Sequence, residues 1–228
     1  MKFKDNVELT KYLEKNFDKL REMTYKKYGG PSVYFHIQSM KMLRKCKTSG
    51  QYLKLLKNEH FVELVYASVA SWGMQRMGGL GMVDFEDFKE EILKNKVNLV
   101  KLSTSRLSKI SEVEKDILGD IFDRMEIMKS DSRLVSNSKL LHHLLPELVP
   151  PMDRAHVLKY FHKHLSTKNI KKERLIFFDI IDKYRELLID LKVKPKNKYD
   201  FDTSEIKMVD NALMGIPKDK LTPKKKKS

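Results

Sequence analysis

The side chains best suited to chemistry gather in one stretch of this 228-residue chain, Leu134 to Phe161, LVSNSKLLHHLLPELVPPMDRAHVLKYF. It holds an amine at Lys139, a carboxylate at Asp153, and His142, His143 and His156. A lysine amine attacks electrophilic carbon once burial or neighbouring cations depress its pKa. Ser136, Asn137 and Ser138 precede a predicted helix from Lys139 to Leu145 and offer capping side chains. Free backbone N–H groups at such a helix start bind anions, and Lys139 in the first turn adds positive charge. Pro146 stops that helix, Glu147 to Met152 run extended before and between prolines, and Asp153 opens the next helix, followed by Arg154. Asp153 also fits a plain N-cap, and Lys139 a solvated lysine in a lysine-rich chain.

Five of the seven histidines, His142, His143, His156, His162 and His164, fall in or just after this stretch. Histidine and carboxylate together can bind zinc, iron or manganese. No HExxH or other diagnostic ligand spacing is present, so no metal and no cofactor is expected. The expectation is that one histidine bonds to Asp153 or a backbone carbonyl. His142, His143 and His156 then support the site from behind, and the rest are exposed.

These residues need a scaffold, and hydrophobic periodicity supplies one made of helices alone. Apolar residues recur at three- and four-residue steps from Asn6 to Tyr28, then again after Gly29-Gly30-Pro31, where Val33, Ile37, Met40 and Leu43 share a side. Lys41, Arg44, Lys45 and Lys47 flank that helix, as a phosphate-contacting or a solvated face. Thr48-Ser49-Gly50 reads as a break before a short helix at Tyr52 to Leu56. Asn58 caps Glu59 to Ser71, whose sequence is apolar nearly all round and so predicts a buried central helix. The glycines from Met77 to Met82 follow no strand and end in no Gly-Lys-Ser/Thr, which leaves a turn rather than a phosphate loop. Trp72, Gln75 and Arg76 border that turn. An aromatic beside an arginine suits stacking on a base, and Trp72 equally suits the core.

Asp84 to Phe88 starts a further helix with acids in its first turn, Asn98 to Leu102 forms a short piece, and Ser111 with Glu114 has capping-box spacing. Ile170 to Leu191 forms a long amphipathic helix with Leu175, Phe178, Ile181, Leu187 and Leu188 on one face. Thr203 or Ser204 caps a last helix to Leu213. No strand alternation and no internal repeat stands out, so the fold class is all-α, a compact multi-helix domain. The expected organisation is N-terminal helices over 1–57, a central helical domain over 58–191 carrying the site, a loop and helix over 192–215, and a basic disordered tail over 216–228.

Hydrophobic residues make up 41% of the chain and charged residues 34%, with a formal net charge of +15, a globular profile with a strongly basic surface. Lys and Arg outrun Asp and Glu, which favours a polyanionic partner, DNA or another nucleic acid. The single Cys46 excludes an internal disulfide and a cysteine zinc cluster and fits a reducing, cytoplasmic setting. No signal-peptide-like or membrane-spanning run is found, so no membrane partner is expected.

A turn with exposed amides, a short helix with Lys near its start, a proline-rich connection and an Asp opening the next helix resemble the helix-hairpin-helix DNA glycosylase superfamily. The likeness covers Phe61 to Phe161 and lies in layout. HFVELVYASVASWGM is similar in placement to that superfamily's buried helix. The run Ser138-Lys139-Leu140-Leu141-His142 followed by Pro150-Pro151-Met152-Asp153-Arg154 also resembles a pattern in uncharacterised prokaryotic proteins, which carries no function. The superfamily resemblance implies that hairpin amides at Ser136 to Lys139 hold duplex DNA and that a damaged base is flipped into a pocket. It also implies that Asp153 stabilises positive charge on the sugar or orients the nucleophile, and that Lys139 forms a Schiff base. Arg154, Trp72 and Arg76 are further candidate nucleic-acid contacts. Val135-Ser136-Asn137 stands where that superfamily has Gly-x-Gly, and the Lys139-to-Asp153 spacing is short for it. Two other readings come from the same residues: a non-catalytic helical domain binding nucleic acid or protein, and a metal-dependent hydrolase built on the histidines.

Overall fold

The computed structural model describes residue 3 and residues 6–74, 81–161, 170–193 and 199–217. Gln75, Arg76, the glycine-rich turn up to Leu80, His162, His164, residues 194–198 and the basic tail from Lys218 lie outside them.

Among the described residues the chain is built of α-helices with no strand, only an isolated bridge between Met82 and Met128. The helices are α1 (Asn6–Lys27), α2 (Pro31–Leu43), α3 (Ser49–Leu56), α4 (Glu59–Ser71), α5 (Phe85–Lys94) and α6 (Lys96–Leu102). They continue as α7 (Glu112–Arg124), α8 (Leu134–Leu144), α9 (Val157–Phe161), α10 (Ile170–Leu191) and α11 (Glu205–Met214). No helix among the described residues is long and apolar enough to cross a membrane.

Local capping chemistry fixes several of the starts. Asn58 Oδ1 accepts the Phe61 N–H at 2.9 Å, and Ser111 and Glu114 form a complete capping box. Ser204 Oγ accepts the Lys207 N–H at 3.0 Å. The Thr48-Ser49-Gly50 break is itself a helix start, because the Thr48 hydroxyl accepts from Gln51 and α3 begins at Ser49. Gly30, at φ 70°, leads the chain into α2 with Pro31 at its first position.

One apolar cluster runs from Leu9 to Ile216 and so draws on all three expected segments before the tail. Helix α8 lies inside it, against α2, α4 and α10, and all of its residues are buried. The helices α1 and α11, far apart in sequence, pack against each other. Gly215 permits that contact, since a Cβ there would overlap the Leu20 carbonyl. A buried pair of Arg21 and Asp202 reinforces it, with Asn211 Nδ2 donating to Asp202 Oδ1 at 2.9 Å and Thr24 donating to the Asn211 carbonyl at 2.6 Å. The inward face of α10 is Ile176, Phe177, Ile180, Ile181, Tyr184 and Leu187, while Leu175 is 72% exposed. The expected face was right from Ile181 onward and wrong at Leu175. Packing against α1, α7, α8 and α11 selects adjacent residues of a helix that is apolar on more than one side.

Candidate active site

Helix α8 begins earlier than its sequence suggests. It starts at Leu134, so Ser136, Asn137 and Ser138 lie within its first turns rather than before it. Their side chains are buried and turned to internal work. Asn137 Nδ2 donates to the Phe122 and Met125 carbonyls at 3.0 and 2.8 Å, which closes the end of α7. Ser138 Oγ donates to the Val135 carbonyl and accepts the Met152 N–H at 3.1 Å, tying α8 to the proline segment. Ser136 Oγ donates to the Arg133 carbonyl at 3.2 Å. The expected anion site at these three residues is therefore corrected. The helix start does attract an anion, but that anion is the chain's own Glu173. Its Oε2 accepts the Arg133 and Leu134 N–H groups at 2.7 and 3.1 Å, and its Oε1 accepts from Ser132 at 3.1 Å.

Farther along α8, Lys139 reaches a cavity of about 280 Å³. Asp153, Trp72, Phe201, Lys207 and Asp210 share its walls. Lys139 is only 7% exposed, and its Nζ donates to the Trp72 carbonyl, the C-cap of α4, at 2.5 Å. A cation at a helix C-terminus is favourable. Even so, burial dominates and lowers the amine to about 8, against the opposing pull of Asp153 and Asp210. The expectation of a solvated lysine is thus set aside. Lys139 and Asp153 face one cavity despite their short sequence separation, because the prolines fold the chain back along α8.

Asp153 does cap the turn into α9. Its Oδ1 accepts the His156 and Val157 N–H groups, each at 2.9 Å, and its Oδ2 meets His156 Nδ1 at 2.7 Å. Burial pushes its carboxyl up, but the His156 imidazole and these amides outweigh that and hold it below the usual value. On α11, Lys207 Nζ pairs with Asp210 Oδ2 at 2.6 Å and sits over the Phe201 ring at 4.0 Å and the Trp72 ring at 5.2 Å. Burial raises the Asp210 carboxyl although Lys207 opposes it.

No protein-family model, curated protein or solved structure matches this chain.

Beneath the cavity lie His36, His142 and His143, all fully buried, so the last two stand behind the cavity and not on its walls. His143 Nδ1 faces the Lys139 carbonyl at 2.8 Å, and a carbonyl only accepts, so Nδ1 carries the hydrogen. His36 Nδ1 then donates to His143 Nε2 at 3.1 Å, and the Thr203 hydroxyl donates to His36 Nε2 at 2.7 Å. Burial holds both rings neutral, with His143 lowered to about 4 and His36 well below its ordinary value. His142 donates from Nδ1 to the Val149 carbonyl at 2.8 Å. Among the described residues no three or more His, Cys, Asp or Glu side chains gather as metal ligands would.

Trp72 belongs to the site as both wall and hydrogen-bond acceptor, with Nε1 donating to the Ser32 carbonyl at 3.0 Å. Arg154 is exposed beside Asp153 and does not line the cavity. Sequence reasoning missed His36, Thr203, Phe201, Lys207 and Asp210. The available signal was faint: a lone histidine in an apolar helix, and a Lys–Asp pair three apart in the mixed polar and apolar EIKMVDNALM.

Proposed function

We propose that the cavity is the active site of a nucleic-acid-directed enzyme, a DNA N-glycosylase acting on damaged bases, with Lys139 as nucleophile and Asp153 as its charge partner. The supporting observation is a buried amine lowered to about 8 on the same cavity as an ionised carboxylate. At pH 7.5 roughly a quarter of such amines are neutral, against about one in a thousand ordinary lysines. In this reading a flipped nucleotide enters the cavity and Trp72 and Phe201 flank it. The neutral Lys139 amine attacks the sugar carbon that bears the base. The base leaves with the electron pair of its bond, Asp153 stabilises the positive charge passing over the sugar, and ring opening gives a Schiff base. Water returns the amine, or strand scission follows where lyase activity is present. Duplex attraction falls to the net charge of +15 rather than to the buried Ser136, Asn137 and Ser138.

Borohydride trapping on duplexes with assorted damaged bases and an abasic site tests this. A trapped adduct with the wild type and none with Lys139→Met supports the reading. No adduct, no base release and no lesion preference rejects it.

A second reading, a binding module without catalysis, draws on the Trp72 carbonyl that Lys139 caps. It expects nucleic-acid affinity that falls steeply with salt and is unchanged by a lesion.

A further inference from the structure

His156 engages both carboxylate oxygens of Asp153. Capping alone needs only Oδ1, which takes the two amides of His156 and Val157. Oδ2 lies 2.7 Å from His156 Nδ1, and that side chain is 5% exposed, whereas the Asp153 side chain keeps 31% exposure. Asp153 lines the cavity and His156 does not. The imidazole therefore stands behind the carboxylate, not in the reacting space. Because an ionised Oδ2 only accepts, His156 carries its hydrogen on Nδ1, and its Nε2 is enclosed without a hydrogen-bond partner. A buried ring that leaves one nitrogen unsatisfied is costly for a residue serving the cap alone, since an apolar side chain would fill the space without that cost.

We infer that His156 is the positioning residue of Asp153, with Nδ1–H locking Oδ2 so that the carboxylate stays ionised and fixed in orientation toward the cavity. The inference rests on the proposed reading of the Lys139–Asp153 site. Among the described residues the other ionisable groups around Asp153 and its cavity are Tyr28 beside α2, Lys139 from α8, Tyr184 from α10, and Lys207 and Asp210 from α11. All of them remain when His156 alone is changed, so a shift in Asp153 then reports the imidazole.

The test compares His156→Leu with His156→Asn, whose amide can restore a donor near the Nδ1 position. Two readouts use the ligand-free full chain: carbon-detected NMR titration of the Asp153 carboxyl, and the nitrogen-15 tautomer of His156 in the wild type. A third is the pH profile of borohydride trapping on whichever duplex the wild type attacks. The expected results are an Nδ1–H tautomer and an Asp153 titration moved up by about one unit or more in the Leu variant. The acid limb of trapping moves with it, the rate near neutrality falls roughly tenfold, and the Asn variant restores most of both. An Nε2–H tautomer overturns the inference, as does an Asp153 titration unchanged in a folded Leu variant. If the Leu variant does not fold, the tautomer and the Asn variant's titration still decide. If the wild type traps nothing, the proposed reaction fails while the two ligand-free readouts judge His156 independently.

Discussion

His36 Nδ1 lies 3.1 Å from His143 Nε2, joining α2 to α8 directly beneath Lys139. The contact requires a hydrogen on one nitrogen and a lone pair on the other, so protonating His143 sets donor against donor. A histidine whose folded pKa is depressed binds its proton more readily in the unfolded chain. Its contribution is intact above the unfolded value of about 6.5 and is lost as pH falls toward the folded value. For His143, lowered to about 4, the loss is roughly 3 kcal/mol across that window. His36 and His142 shift the same way. Urea midpoints taken from pH 7.5 to pH 4.5 should fall steeply, and less steeply in His143→Asn. A level midpoint contradicts the neutral chain of rings.

Lys139 gives the opposite end of the pH scale a similar sign. Its folded value of about 8 lies below the ordinary lysine value, so the unfolded chain holds more protons between the two. Stability should rise with pH from about 8 by up to roughly 3 kcal/mol, until ionisation of the buried Tyr52 and Tyr184 reverses it. Lys139→Met removes that rise. At pH 7 the relief of a buried charge and the loss of a donor to the Trp72 carbonyl oppose each other, and the net change should stay within about 2 kcal/mol. Equilibrium denaturation at pH 7.5 and 9.5 separates the two variants.

Glu173 should prove a structural residue of unusual weight for α8. Glu173→Ala leaves the N–H groups of Arg133 and Leu134 and the Ser132 hydroxyl without their acceptor. A cost of about 2 kcal/mol is expected, read from urea unfolding, with Glu173→Gln losing less because an amide oxygen still accepts. Equal stability of wild type and Glu173→Ala would show that α8 is capped by something else.

Gly215→Ala tests the clamp that delivers Lys207 and Asp210. The backbone there has an ordinary helical conformation, so the penalty comes from contact with the Leu20 carbonyl rather than from φ. Separating α11 from α1 should cost about 1–3 kcal/mol and lower the melting temperature. It should also weaken borohydride trapping if Lys207 and Asp210 shape the cavity. An unchanged melting temperature would show that the helices slide apart without cost.

Sequence alone determined the helical class and several helix starts, because capping acts within three residues: Asn58 with Phe61, Ser111 with Glu114, and Ser204 with Lys207 are all local. It also singled out Lys139 and Asp153, since an amine, three prolines and an acid in so short a span are visible without a fold. What it misplaced was everything that depends on a distant partner. The start of α8 looked open to an external anion, yet a carboxylate some 40 residues later fills it. Whether Lys139 is solvated or desolvated depends on α4 and α11 closing over it, and burial is a property of neighbours rather than of the residue. Lys207 and Asp210 reach the cavity only because α1 grips α11 across nearly the whole length of the chain. Helix periodicity records which face is apolar, but tertiary packing alone decides which polar groups are enclosed with it, and those enclosed groups make the site.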